Sequence, residues 1–86
     1  PAFDGMRVRE VWAGVGVNTP DYMPMISPVK SVPGLNLLTG FSDGLTQGPG
    51  AGKLMADLIT GQKPQIDPSP YRYERYIDGT RLSVIP

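Results

Sequence analysis

This chain has no cysteine and no histidine. The first absence excludes disulfides and thiolate metal sites. The second removes the commonest metal ligand and the commonest general base near neutral pH. Charge of one sign is also missing: eight basic residues balance eight acidic ones, so no global field draws the chain to nucleic acid or to an acidic membrane face. No apolar run approaches the ~20 residues that span a bilayer. No signal-peptide pattern is read in the opening residues, and no internal repeat is visible. With 86 residues, one domain or less is expected, with a thin core and marginal stability on its own.

Glycine and proline are abundant. Eleven glycines and ten prolines approach the level that signals disorder. Here they punctuate well-patterned apolar segments, so they read as turns. The organising stretch is Thr39-Gly40-Phe41-Ser42-Asp43-Gly44-Leu45-Thr46-Gln47-Gly48-Pro49-Gly50-Ala51-Gly52. Before it, Leu35-Asn36-Leu37-Leu38 reads as a buried strand over 35–39. After it, Ala51, Leu54, Met55, Leu58 and Ile59 fall at i, i+3, i+4, i+7 and i+8, one apolar stripe of a helix. A glycine-rich turn between strand and helix presents unpaired backbone N–H groups and the positive end of a helix dipole.

In chain order, residues 6–13 read as a strand, with Met6 and Val8 alternating with Arg7 and Arg9 and a phase break at Glu10. Asn18-Thr19-Pro20-Asp21 is a turn. Residues 23–27 form a short strand that Pro24 limits to an edge or a strand start. Pro33-Gly34 suits the centre of a type II turn. The helix is expected over 49–60, with Pro49 in its first turn, Thr46 or Gly48 as cap, Gly61 at the C′ position and Pro64 beyond it. Lys53 and Asp57, at i and i+4, read as an exposed pair. Trp12 reads as a core residue, and Met23, Met25 and Met55 as gap fillers. From residue 62 onward an extended tail is expected, carrying Tyr71-Arg72-Tyr73-Glu74-Arg75-Tyr76. The core is too small to offset the ordering entropy of the whole chain, so a further polypeptide surface is expected, from a separate chain or the remainder of the same one.

Several pieces in series then resemble one family. They are Arg9-x-x-Trp12-Ala13-Gly14, Thr19-Pro20-Asp21-x-x-Pro24-x-Ile26, Val32-Pro33-Gly34-Leu35-x-Leu37-x-Thr39-Gly40, and Gly44-Leu45-x-x-Gly48-Pro49-x-x-Gly52-x-x-x-Ala56-Asp57-Leu58-Ile59-x-Gly61. Together they resemble the last part of the FAD-dependent D-amino-acid oxidase and glycine oxidase superfamily. That superfamily includes sarcosine oxidases, D-amino-acid dehydrogenases and L-amino-acid deaminases. The resemblance implies an α+β fold: short antiparallel strands, a buried strand, a glycine-rich turn, one amphipathic helix and an extended tail, forming part of a larger glutathione-reductase-like FAD-binding fold. Residues 1–62 would belong to the FAD and substrate region and 63–86 would be a docking tail.

The resemblance also implies that FAD lies against Gly40, Phe41, Ser42, Asp43, Gly44, Leu45 and Thr46, with the helix start aimed at the flavin's N1–C2=O edge. Phe41 would wall the substrate pocket and Asp43 would meet an ammonium group. The expected partners are a larger FAD-binding polypeptide and a small amino-acid or amine substrate, with no nucleic acid. The expected place is the cytoplasm or the inner membrane face, as a peripheral protein. Two departures from the family stand out, and one is that several relatives have His or Arg within the glycine-rich loop, where this chain has Phe41, Ser42 and Asp43. Many members carry Arg-Pro soon after Trp-Ala-Gly, often as the substrate carboxylate clamp; here Gly16-Val17 stand near that place. The dinucleotide fingerprint is absent, so nothing here would hold the adenine half of FAD. Either the clamp comes from elsewhere or the substrate is not a simple α-amino acid.

Plainer readings stand beside these. Gly48-Pro49-Gly50-Ala51-Gly52 lacks the Gly-Lys-Ser/Thr ending of a phosphate loop. The aromatic and basic tail would suit single-stranded nucleic acid, but the balanced charge argues against it. An Asp in the place of Asp43 is more often a turn former than a substrate contact. The whole chain could be a small non-catalytic interaction module.

Overall fold

A computed structural model describes residues 1–82, and two antiparallel strands, one helix and two 3₁₀ turns make up the regular structure of these described residues. Strand β1 (Met25–Pro28) pairs with β2 (Asn36–Thr39), Met25 opposite Thr39 and Pro28 opposite Asn36. Pro24 directly precedes β1, where its missing donor costs no ladder bond. The connection closes as expected: Leu35 N donates to Val32 O at 3.1 Å, and Gly34 takes φ +89°, the left-handed value a type II turn demands after Pro33. The upstream turn forms too, with Tyr22 N donating to Thr19 O at 3.1 Å.

Helix α1 (Gly44–Thr60) packs on β1 through Ala51, Leu54 and Met55, which with Ile26 form the buried cluster. Phe41, Leu58 and Tyr71 pack against it, partly buried. The stripe thus holds from Ala51 to Leu58 and fails at Ile59, which is 61% exposed. Its C-terminus follows the expectation. Gly61 adopts φ 75°, and its N–H and that of Gln62 both close on the Asp57 carbonyl.

Several expectations are corrected. The helix begins at Gly44, five residues earlier than expected, because Asp43 caps it, not Thr46 or Gly48. Pro49 therefore lies inside α1. It withholds one bond, to the carbonyl of solvent-exposed Leu45, where water can substitute. Residues 6–13 form no strand; nothing among the described residues pairs with them, and residues 1–18 are all exposed. Trp12, expected in a core, is 80% exposed. Strand β2, expected to be buried, is mostly exposed, because no further layer among the described residues covers it. Met55 is buried, whereas Met23 and Met25 are half-buried. The Lys53–Asp57 pair forms at 2.7 Å, but Asp57 is buried and only Lys53 is exposed. The tail is not purely extended: Ser69–Tyr71 and Tyr73–Tyr76 are 3₁₀ turns set against β1. Residues 83–86 of that tail lie outside the described residues.

Candidate functional site

The turn entering α1 is built by a reciprocal cap. Asp43 Oδ1 accepts from Thr46 N at 3.3 Å and Oδ2 accepts from Thr46 Oγ1 at 2.9 Å, while Asp43 N donates to Gln47 Oε1 at 3.4 Å. This satisfies one of the donors a helix start leaves over. Among the described residues nothing accepts from the Gly44 and Leu45 amides. Both residues are exposed, and a Cβ at Gly44 would meet only Phe41 Cβ, at 3.9 Å. Two amide donors therefore stand at the positive end of the helix without a side chain over Gly44. The Asp43 carboxylate offsets part of the field there, an effect of about 0.3–1 kcal/mol at an exposed helix end.

The seven expected site residues divide into three groups. Gly40 is buried at φ +79°, and a Cβ on it would come within 2.6 Å of Thr19 Cγ2, so it is held from behind the loop. Phe41 and Thr46 line one open, mostly apolar cavity of about 410 Å³, together with Met23, Gln47, Leu54 and Tyr71. Ser42, Asp43, Gly44 and Leu45 lie at the surface outside that cavity; Leu45 is 94% exposed. Phe41 and Asp43 therefore do not share one pocket within this chain. No group of residues suited to holding a metal ion occurs among the described residues, and none of their helices is long and apolar enough to cross a membrane.

Sequence reasoning missed the polar cluster behind the loop. Arg75 and Asp21 are both buried and form a two-pronged ion pair, Nε to Oδ2 at 2.8 Å and Nη2 to Oδ1 at 3.0 Å. Tyr76 Oη donates to Asp21 Oδ1 at 2.7 Å, and Thr19 Oγ1 lies 3.0 Å from the same oxygen and 2.6 Å from Met23 O. Burial pushes the Asp21 carboxyl up, but bonds from Arg75, Tyr76, Met23 N and Thr19 together outweigh it, leaving it well below the usual carboxylate range. The sequence offers only an arginine with Tyr73 and Tyr76 near it, and arginine is ordinarily exposed. Its partner lies 54 residues away, and no local pattern reports that.

The described residues thus form a small α+β unit, two antiparallel strands and a helix entered through a glycine-rich turn. The family model described as FAD dependent oxidoreductase matches residues 1–58, and the chain belongs to that family, whose cofactor is FAD. The glycine oxidase of Pseudomonas aeruginosa is 44% identical over 72 residues, 83% of this chain and 20% of that protein. The D-amino acid dehydrogenase of Bradyrhizobium diazoefficiens is 38% identical over 66 residues, 76% of this chain and 15% of that protein. Among solved structures, the L-amino acid deaminase from Proteus vulgaris superposes with a TM-score of 0.60 at 44% identity, over 64% of this chain and 13% of that one. The chain thus spans a fifth or less of the length of these relatives.

Proposed function

We propose that this chain is the C-terminal part of an FAD-dependent oxidoreductase that oxidises the C–N bond of an amino acid or amine. The observation that carries the reading is the family match over residues 1–58, which includes the loop and all of α1 but its last two residues. The relatives, named for glycine, D-amino acids and L-amino acids, support an amino-acid substrate without choosing its hand.

The residues present fit a flavin on this chain's side. Gly40, Phe41 and Ser42 would run along the ring. The Gly44 and Leu45 amides would face the pyrimidine edge, where two-electron reduction places negative charge; the Thr46 amide is already given to Asp43. Gly44 has no side chain to hold the backbone away. When bound, the flavin accepts the hydride. The chain's own part is to place donors before charge develops and to close one wall of the pocket with Phe41. Asp43 meets the substrate ammonium only if a neighbouring surface brings the two together, since its oxygens already serve Thr46. The adenine half of FAD and the carboxylate clamp belong to the rest of the protein. A self-sufficient interaction module fits less well, because large apolar side chains such as Phe3, Val8, Val11 and Trp12 stand exposed.

The test is a redox titration of the intact protein bearing this segment. Wild-type material should carry flavin absorbance. Asp43→Asn keeps a capping oxygen but removes the charge, and should raise the two-electron potential by about 20 mV for each ~1 kcal/mol of field released. Colourless protein, or an unmoved potential, rejects the arrangement.

A further inference from the structure

The cluster of Thr19, Asp21, Arg75 and Tyr76 does more than tie the tail down. Thr19 has two working ends. Its hydroxyl joins the ion-pair network at Asp21 Oδ1 and Met23 O. Its methyl fills the place where a side chain on Gly40 would be, 2.6 Å from the ideal Cβ position. Arg75 also donates to Met23 O at 2.8 Å, so the guanidinium fork grips both sides of the 19–23 turn. A continuous series of contacts therefore runs from the tail, through Asp21 and Thr19, to the first residue of the loop that enters α1. Every member of the series is buried or half-buried, and no buried side-chain polar atom among the described residues lacks a partner. A fully satisfied buried network has one low-energy arrangement, and so fixes position as well as adding stability.

We propose that Arg75 is a positioning residue for the glycine-rich loop, setting Gly40 through Asp21 and Thr19. Resting on the flavin reading above, this makes a residue outside the family-matched segment 1–58 a determinant of cofactor placement. Glycine at position 40 is then required twice, by its left-handed φ and by the seat it gives the Thr19 methyl. Lysine cannot replace Arg75, because a single ammonium lacks the fork that reaches both Asp21 oxygens and Met23 O.

The test is a double-mutant cycle in the intact flavoprotein, read as FAD dissociation constant and as visible circular dichroism of the bound flavin. Gly40→Ala should weaken FAD roughly tenfold. Adding Thr19→Ser, which keeps the hydroxyl and withdraws the clashing methyl, should recover about threefold of that, although Thr19→Ser alone gives no gain. Arg75→Met and Arg75→Lys should both alter the flavin dichroism. Arg72→Met, which breaks the exposed pair with Asp78 in the same tail, should leave it unchanged. A flavin-independent arm reads hydrogen exchange: in Arg75→Met the Thr46 and Gln47 amides, both bonded to Asp43, should exchange roughly tenfold faster. Additive effects of Gly40→Ala and Thr19→Ser, or Arg75 variants that melt earlier with unchanged flavin dichroism and unchanged exchange at the loop, would overturn the proposal. Wild-type protein without flavin would instead defeat the flavin reading, and the exchange arm would still decide whether Arg75 positions the loop.

Discussion

A carboxylate that is 3% exposed survives in a folded chain only if its oxygens are well bonded, and Asp21 receives Arg75, Tyr76, Thr19 and Met23 N. Its carboxyl is held below the ordinary range, so the unfolded chain takes up a proton at a higher pH than the folded one does. The stability this gives is complete above about pH 5 and declines as the pH falls through about 4 and below, toward the depressed folded value. Asp21→Asn should remove that share of the acid sensitivity. At neutral pH it should cost about 3 kcal/mol, because Arg75 is left buried without a counter-charge and faces an amide that can donate. Melting temperatures of the intact protein from pH 7 down to 3 check both parts: the wild-type curve should fall steeply in acid and the variant's should start lower and run flatter. Equal slopes would show that Asp21 does not carry the acid response. The sequence marks Asp21 as a turn former, which is half its role. The other half depends on a tail arginine that only tertiary folding brings near.

Helix α1 shows where local pattern suffices and where it does not. The apolar stripe from Ala51 to Leu58 and the Gly61 stop are legible because spacing and a left-handed residue each act locally. The start is misplaced because two local rules compete. Pro49 favours a first turn at that point, and the Asp43–Thr46–Gln47 cap, reaching one turn further back, prevails. The burial of β2 and the strand at 6–13 fail for another reason: their patterns presuppose layers that the described residues do not contain. The same logic explains a helix that carries Gly44, Gly48 and Gly52 on one face at i, i+4 and i+8. Such spacing spends about 1 kcal/mol of helix stability per glycine against alanine. Nothing among the described residues comes within 4 Å of a Cβ at Gly48 or Gly52. In the isolated chain, Gly48→Ala with Gly52→Ala should therefore increase helix content by circular dichroism. In the intact protein the same pair should lower the melting temperature and the flavin content, because the neighbouring surface then meets two new methyl groups. A gain in both settings would mean that the glycine face stays bare.

The molecule as a whole has a Cα radius of gyration of 16.9 Å, where a compact domain of this length has about 12 Å. Among the described residues the buried apolar ones number five, Ile26, Val29, Ala51, Leu54 and Met55. That set is too small to hold residues 1–18, whose side chains project from an unpaired segment. Val8 and Trp12 sit an even number apart, hence on one side of an extended chain, and Val11, Val15 and Val17 on the other, all at least 72% exposed. Two apolar sides suit a strand in a covered sheet and suit nothing in water. On the proposed reading, the remaining length of the protein supplies both layers. The tryptophan at position 12, the sole one in this chain, makes that measurable. In the isolated chain its fluorescence should be freely quenched by acrylamide, and amides 6–17 should exchange at unprotected rates. In the intact protein, with every other tryptophan replaced by phenylalanine, quenching of Trp12 should drop several-fold, and Trp12→Ala should cost about 3 kcal/mol as a buried large residue. Quenching that stays as efficient in the intact protein as in the isolated chain would leave Trp12 in solvent and the missing layers without support.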